Sequence, residues 1–237
     1  MRKMVLITGA GTGLGLACVE LFLENKWDVL AHFHESAASL ERIQKNIRMG
    51  RLEFIKSDFR HPAEITRFVT LVNKYKIDAL VNNAAQYDHS HKSKNRIKAI
   101  NDLLTVNVIA PTLIAKAVLD QMKSRKQGQI VNISSIGAKY GSESDNIFYG
   151  VSKRGLESAT RTLAKEGATH NVLVNTVRPG VMDTNVHRKI KKDMDLRRRL
   201  IPLKRIADPR EVARLIYFLC AHNTYITNET LTISGGE

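Results

Sequence analysis

Tyr149 and Lys153 stand four positions apart in Tyr149-Gly150-Val151-Ser152-Lys153. On a helix that spacing places a phenol and an ammonium on one face. A phenol ordinarily loses its proton near pH 10, so it is a poor acid or base at neutrality. A cation beside it favours the phenolate and draws that value down. Tyr149 can then give a proton to a carbonyl oxygen as hydride arrives, or take one from an alcohol in reverse. Upstream, Ile130-Val131-Asn132-Ile133-Ser134-Ser135-Ile136-Gly137 reads as a buried strand ending in two hydroxyls. A serine at that edge can hydrogen-bond a substrate oxygen and stabilise its developing charge. Asn107 is a polar residue within an apolar helical pattern. It is either an amide satisfied by backbone groups or a fourth member of the same site.

A second constellation lies near the start. Thr8-Gly9-Ala10-Gly11-Thr12-Gly13-Leu14-Gly15 follows an apolar run and precedes an amphipathic one. Glycines between a strand and a helix permit a tight turn and a close approach of backbone to a pyrophosphate. The spacing is Gly-x3-Gly-x-Gly rather than the commoner Gly-x-Gly-x2-Gly. At the end of the second strand an acidic residue would bind the ribose hydroxyls of NAD and repel a 2′-phosphate. Phe33 occupies that position, and His34 and Ser36 can hydrogen-bond a phosphate, against the neighbouring Glu35. NADP is therefore the expected cofactor and NAD the alternative. Asp58, after the third strand, is placed either for the adenine amino group or as a helix cap near Pro62. Asn82-Asn83-Ala84-Ala85 closes the fourth strand with small residues that admit a flat ring. No metal is expected.

The elements that must position these groups alternate along the whole chain. Strands are expected over residues 5–8, 28–33, 52–56, 79–82, 130–134, 172–177 and 230–233, nearly continuous in apolar residues, as strands buried on both faces should be. Helices are expected over 14–25, 38–49, 64–75, 97–124, 149–169 and 209–221. Alternation of this kind implies right-handed crossovers and a parallel sheet covered on both faces. With 237 residues and no dividing linker, the chain reads as one domain over residues 1–237, an α/β Rossmann-type doubly wound sheet of seven strands. Cys18 and Cys220 fall in apolar helical patterns and read as small buried hydrophobes. No signal peptide or membrane-spanning run is expected, which implies a cytoplasmic protein.

At this density of motifs the chain resembles the short-chain dehydrogenase/reductase family, above all its 3-oxoacyl carrier-protein reductase-like branch. The likeness rests on Thr8–Gly15 in the form TGxxxGxG, Asn82 to Ala85, Asn107, Ser135, Tyr149 with Lys153, and Arg178-Pro179-Gly180 followed by Thr184. It runs to the closing Ile233-Ser234-Gly235-Gly236. The resemblance implies that Tyr149 is the acid/base and that Lys153 lowers its pKa while holding the nicotinamide ribose. Ser135, with Ser134 as substitute, would orient the carbonyl, and Asn107 would anchor a water in a proton relay. Thr8, Gly9, Gly11, Thr12, Gly13, Leu14, Gly15, Asn83, Ala84 and Ala85 would line the cofactor's path. Pro179 and Gly180 would do the same, and Thr184 would take the carboxamide. A homotetramer or homodimer is implied, built from the helices that carry Asn107 and Tyr149.

Charge is the abnormal quantity in the composition. Lys and Arg outnumber Asp and Glu by 37 to 23, a net +14. Residues 178–205 hold ten of those cations and three Asp, overlapping the segment 181–207 that in the resembling family forms a substrate lid. A solvated face is the ordinary account of such a run, and attraction of an anionic carbonyl substrate or its carrier is the sharper one. A non-catalytic nucleic-acid-binding protein on the same fold is the rival class. With 6% aromatic residues and no RNA-binding motif, nucleic acid is not the expected partner.

Overall fold

The computed structural model describes residues 2–47, 50–142, 144–184 and 194–237. The strands are β1 (Met4–Ile7), β2 (Asp28–Phe33), β3 (Leu52–Lys56), β4 (Ala79–Asn82), β5 (Gly128–Ile133), β6 (Val172–Pro179) and β7 (Thr230–Ile233). They form one sheet in the order β3-β2-β1-β4-β5-β6-β7, with every pair parallel. The order reverses at β1, so β1 and β4 part outside their carboxyl ends, where such sheets open a crevice for ligands.

Helices α1 (Gly13–Glu24), α2 (Ala38–Asn46), α3 (Pro62–Val72), α4 (Arg96–Leu104), α5 (Ala110–Arg125), the one-turn α6 (Gly137–Tyr140), α7 (Ile147–Ala168), α8 (Met194–Leu200) and α9 (Pro209–Ala221) cover its faces. Two apolar layers result. Val5, Ile7, Val29 and Ala31 point to α1 and α9 on one side, while Leu6, Leu30, Leu80 and Ile130 point to α3, α5 and α7 on the other. The period-2 alternation of each strand is thus apolar on both faces, which explains the continuous apolar runs. Cys18 and Cys220 are free and buried.

Local chemistry sets the ends. Asp208 caps α9 in a reciprocal box with Glu211, and Pro209 occupies the first turn, where its missing N–H costs nothing. Asn228, before β7, takes a left-handed φ of +64°, which Asn tolerates better than most residues.

One element departs from expectation. The single helix expected over 97–124 is two helices joined by a π-turn at Thr105–Ile109. The amide of Asn107 causes the departure by bonding the backbone of Gln86 instead of facing its own helix, as described below. The whole run Arg96–Arg125 is long and apolar enough by composition to span a bilayer. Here Ile114, Val118, Leu119 and Met122 are buried against the sheet, so core packing accounts for its apolarity.

Candidate active site

A cleft of about 1060 Å³ opens along the carboxyl edge of the sheet. Its floor at one end is the glycine loop between β1 and α1. Gly9 and Gly13 have φ of +65° and +54°, a region that side chains other than glycine rarely adopt. A Cβ on Gly9 would lie 2.7 Å from Ala84 Cα, so the loop lies flat against the end of β4. Asn83 Nδ2 donates to the carbonyls of Thr8 and Gly9 at 3.1 and 3.0 Å. The Thr8 hydroxyl accepts from the N–H groups of Asn83 and Ala84, both at 3.0 Å. Helix α1 then begins at Gly13 with no side chain capping it and no acid in its first turn. Its free N–H groups and positive dipole end are presented to the cleft.

Gly9, Gly11, Thr12, Gly13 and Leu14 line that cleft, as do Asn83, Ala84 and Ala85. Thr8 and Gly15 do not; they act on the loop from beneath. A Cβ on Gly15 would fall 2.2 Å from Gly9 O and 2.7 Å from Asn83 Nδ2. Gly15→Ala is therefore expected to displace the loop, at an overpacking cost of about 1–3 kcal/mol. A nicotinamide-fluorescence titration should show dinucleotide binding weakened by about tenfold or more. Unchanged affinity would mean that the loop geometry does not matter.

At the adenosine end, Phe33, His34, Glu35 and Ser36 all line the cleft. Asp58 does not line it, and it does not cap α3. Helix α3 is entered through His61 without a side-chain cap. The Asp58 carboxylate is instead held by Arg60, through Nε at 2.9 and 3.0 Å and Nη2 at 2.6 Å. That hydrogen bond, and the nearby positive groups, hold Asp58 well below the usual carboxylate range against the cost of burial. Arg60 Nη2 also stands 3.3 Å from His34 Nε2, so a guanidinium missed from sequence lies beside the cleft. The only signal was a cation two residues from a favourable acid.

The reacting groups converge at the other end. Ser134 and Ser135 follow the end of β5 at Ile133, and α7 starts at Ile147, two residues before Tyr149. The Tyr149 phenol and the Ser135 hydroxyl face the same stretch of the cleft. Ser134 is engaged elsewhere, donating to Glu157 Oε1 at 2.6 Å. Lys153 is 2% exposed; its Nζ donates to Ile133 O at 2.9 Å and lies 5.8 Å from the Tyr149 ring centre. Tyr87, which no motif had singled out, lies against Tyr149 with ring centres 5.1 Å apart.

The pKa directions differ from the sequence expectation. Burial pushes the Tyr149 phenol up to about 12, the Ser135 hydroxyl opposes that, and Tyr87 adds to it. Burial pushes Lys153 down to about 8. In this geometry Lys153 Nζ donates to a strand carbonyl, and burial of the phenol outweighs the influences that draw its pKa down. At neutral pH the pair is a protonated phenol beside an ammonium, the state suited to giving a proton.

Asn107 is fully buried and does not line the cleft. Its Nδ2 donates to Gln86 O at 2.8 Å and to Ser152 Oγ at 3.0 Å, and its Oδ1 accepts from Gln86 N at 2.7 Å. Ser152 Oγ in turn donates to Tyr149 O at 2.7 Å. Asn107 thus links the loop after β4 to the turn that carries the phenol. Beyond β6, Pro179, Gly180 and Thr184 line the cleft. A Cβ on Gly13 would come within 3.3 Å of the Thr184 methyl, so the loop after β6 reaches the glycine loop. Of the basic stretch, Arg188, Lys189, Lys191 and Lys192 lie outside the described residues. Among its described cations only Arg197 lines the cleft.

A long trough with a glycine-floored, N–H-rich end and a proton-donating end fits a nicotinamide dinucleotide on the chain's own atoms. Such a group would supply the hydride that Tyr149 and Ser135 cannot. The family model of the short chain dehydrogenases matches residues 3–195. A 3-oxoacyl-acyl-carrier-protein reductase of Chlamydia pneumoniae is 30% identical over 99% of this chain and 96% of its own length. A structure described as ElxO with NADP bound has a TM-score of 0.85 at 27% identity, covering 100% of this chain and 98% of that one. A 4-hydroxyisoleucine dehydrogenase complexed with NADH has a TM-score of 0.87 at 25% identity, with 99% and 98% covered. The chain therefore belongs to the short-chain dehydrogenase family, and is an NAD(P)-dependent oxidoreductase acting at carbonyl or hydroxyl groups.

Proposed function

We propose that the protein is an NADP-dependent reductase that converts a ketone or aldehyde to an alcohol, with Tyr149 as proton donor. The observation that carries this reading is the Tyr149–Ser135 hydroxyl pair in the cleft that the glycine loop floors. Ser135 donates to the substrate oxygen and aligns it on the Tyr149 phenol. As negative charge develops on that oxygen, the phenol proton passes to it, and the Lys153 ammonium stabilises the phenolate left behind. A phenol near 12 beside an ammonium near 8 favours this direction at neutral pH, since the reverse reaction needs the phenolate. Lys153 holds the nicotinamide ribose, Pro179 and Gly180 line the ring's seat, and Thr184 takes its carboxamide. Asn107 acts through Gln86 and Ser152 as a positioning residue.

NADP is favoured over NAD by Phe33 in place of an acid, by His34 and Ser36 in the cleft wall, and by Arg60 beside His34. Glu35 in the same wall opposes a 2′-phosphate and supports NAD. Arg197 favours an anionic carbonyl substrate or one on an acidic carrier, which would take the place of Glu237, its partner at 2.7 Å in the same wall. Chlamydia's 3-oxoacyl-acyl-carrier-protein reductase points the same way by its name. Ile109 and Leu113 on the Asn107 side, and Ile147 and Val151 on α7, are about half exposed. They support assembly into a homotetramer or homodimer.

Turnover with NADPH and NADH against a carbonyl panel tests these statements together. The panel would include 3-oxo acids, their esters and acyl thioesters. NADPH is expected to give at least about tenfold the kcat/KM of NADH, equal to roughly 1.4 kcal/mol. Oxidation of alcohols with NAD, with every carbonyl left untouched, would reverse both the direction and the cofactor.

A further inference from the structure

His32 is a buried imidazole in β2, directly after the apolar run Val29-Leu30-Ala31. It is 2% exposed and stacks on Phe59, with ring centres 4.0 Å apart and planes 10° from parallel. Phe68 meets its edge at 5.2 Å. Burial pushes its pKa down to about 4, against the pull of the Ser57 carbonyl, so the ring is neutral and has one donor and one acceptor. Both are used. Nε2 lies 2.9 Å from Ser57 O, which can only accept, and this places the proton on Nε2. Nδ1 is then free to accept, and the Gly9 N–H donates to it at 3.2 Å. The next amide, Ala10 N, donates to the His32 carbonyl at 2.8 Å.

The Gly9 peptide is thereby held on every side. Its N–H points inward to the imidazole, its carbonyl accepts from Asn83 Nδ2, and Gly15 closes over that carbonyl so tightly that no Cβ fits. Its φ of +65° needs such restraint, because glycine alone gives the backbone wide freedom there. A phenylalanine in place of His32 would fill the stack and leave the Gly9 N–H without a partner in a dry site.

We propose that His32 is a positioning residue for the dinucleotide, its Nδ1 fixing the first peptide of the glycine loop and so the aim of the loop N–H groups that follow. The role lies beneath the cleft, in a residue that does not line it. It rests on dinucleotide binding at this loop, and it holds whichever of NADP and NAD is preferred.

Two substitutions separate positioning from mere packing. In His32→Asn the side-chain oxygen replaces Nδ1 as acceptor for Gly9, while the contact with Ser57 is lost. In His32→Gln the side-chain nitrogen replaces Nε2 as donor to Ser57, while the acceptor for Gly9 is lost. Both lose the aromatic stack, so both are expected to melt earlier than the parent by similar amounts. Nicotinamide-fluorescence titration with NADPH and with NADH is expected to show binding about tenfold weaker in His32→Gln and within about threefold of the parent in His32→Asn, equivalent to roughly 1.4 kcal/mol for the former. Affinity that follows melting temperature alike in both variants, or moves in neither, overturns the proposal. Should either variant fail to fold, imidazole nitrogen shifts of the parent protein decide. A proton on Nε2 with Nδ1 hydrogen-bonded supports it, and a proton on Nδ1 overturns it. A parent protein that binds neither dinucleotide would instead defeat the cofactor reading itself.

Discussion

Tyr149→Phe is expected to lower carbonyl reduction by about 10³-fold, the usual worth of a positioned general acid and equal to roughly 4 kcal/mol. The ring, its tilted contact with Tyr87 and the fold of α7 are retained, because only one oxygen is removed. Dinucleotide affinity should therefore stay within about twofold, since the glycine loop and Lys153 are untouched. The pH profile adds a second signature. Below pH 8 both Tyr149 and Lys153 carry their protons, and the ammonium stabilises the phenolate as it forms. As pH rises through about 8 Lys153 becomes neutral and that help is lost, so kcat of the parent should fall. The residual rate of Tyr149→Phe has no phenolate to stabilise and should lose this fall. A variant that reduces its substrate at the parent's rate with NADPH would remove Tyr149 from the mechanism.

The expectation and the structure agree where local chemistry decides and part where distant contacts do. Strands β2, β3, β4 and β7 match the expected residues, because strands buried on both faces announce themselves as apolar runs. The fifth strand starts two residues earlier, at Gly128, and the sixth continues to Pro179. Those ends are set by pairing with neighbours, which composition does not carry. The π-turn at Asn107 was not legible because its cause is a hydrogen bond to Gln86, 21 residues away. Tyr149 and Lys153 stood out through their spacing together with the serine-ended strand and the family resemblance, but the direction of their pKa shifts was not legible. Helical spacing states proximity and says nothing about how deeply a phenol is covered. The surroundings of Asp58 were hidden for a related reason. Its environment includes Arg60, whose side chain turns back on it.

A charged group at an apolar position is the signal that sequence reading passed over at Glu157. This residue sits one turn beyond Lys153 on α7 and is 2% exposed at its side chain. Arg178 Nε donates to Glu157 Oε1 at 3.0 Å and Nη2 to Oε2 at 2.8 Å, a two-point bond of fixed geometry. Ser134 donates to Oε1 at 2.6 Å, and Arg154 to Oε2 at 3.1 Å from the surface. One carboxylate thus joins the end of β5 beside Ser135, the helix of Tyr149 and Lys153, and the end of β6 beside Pro179. Burial opposes its charge, yet the bonds from Arg178 and Ser134 prevail and hold it below the ordinary carboxylate value. Its stabilising contribution is therefore complete above about pH 4.5 and is lost as pH falls through the lowered value. Glu157→Ala leaves Arg178 charged and buried without its partner, at a cost of about 3–5 kcal/mol. For a chain of this size that lowers the melting temperature by roughly 6–20 °C. Replacing both residues by leucine should recover much of that loss, since a buried ion pair is often no more stable than an apolar pair of similar volume. Activity should not recover with it, because Ser135 and the loop after Pro179 would have lost their shared anchor. Calorimetry and kcat on the single and double variants separate the two effects. If Glu157→Ala melts within about 2 °C of the parent, the carboxylate is not holding these three elements together.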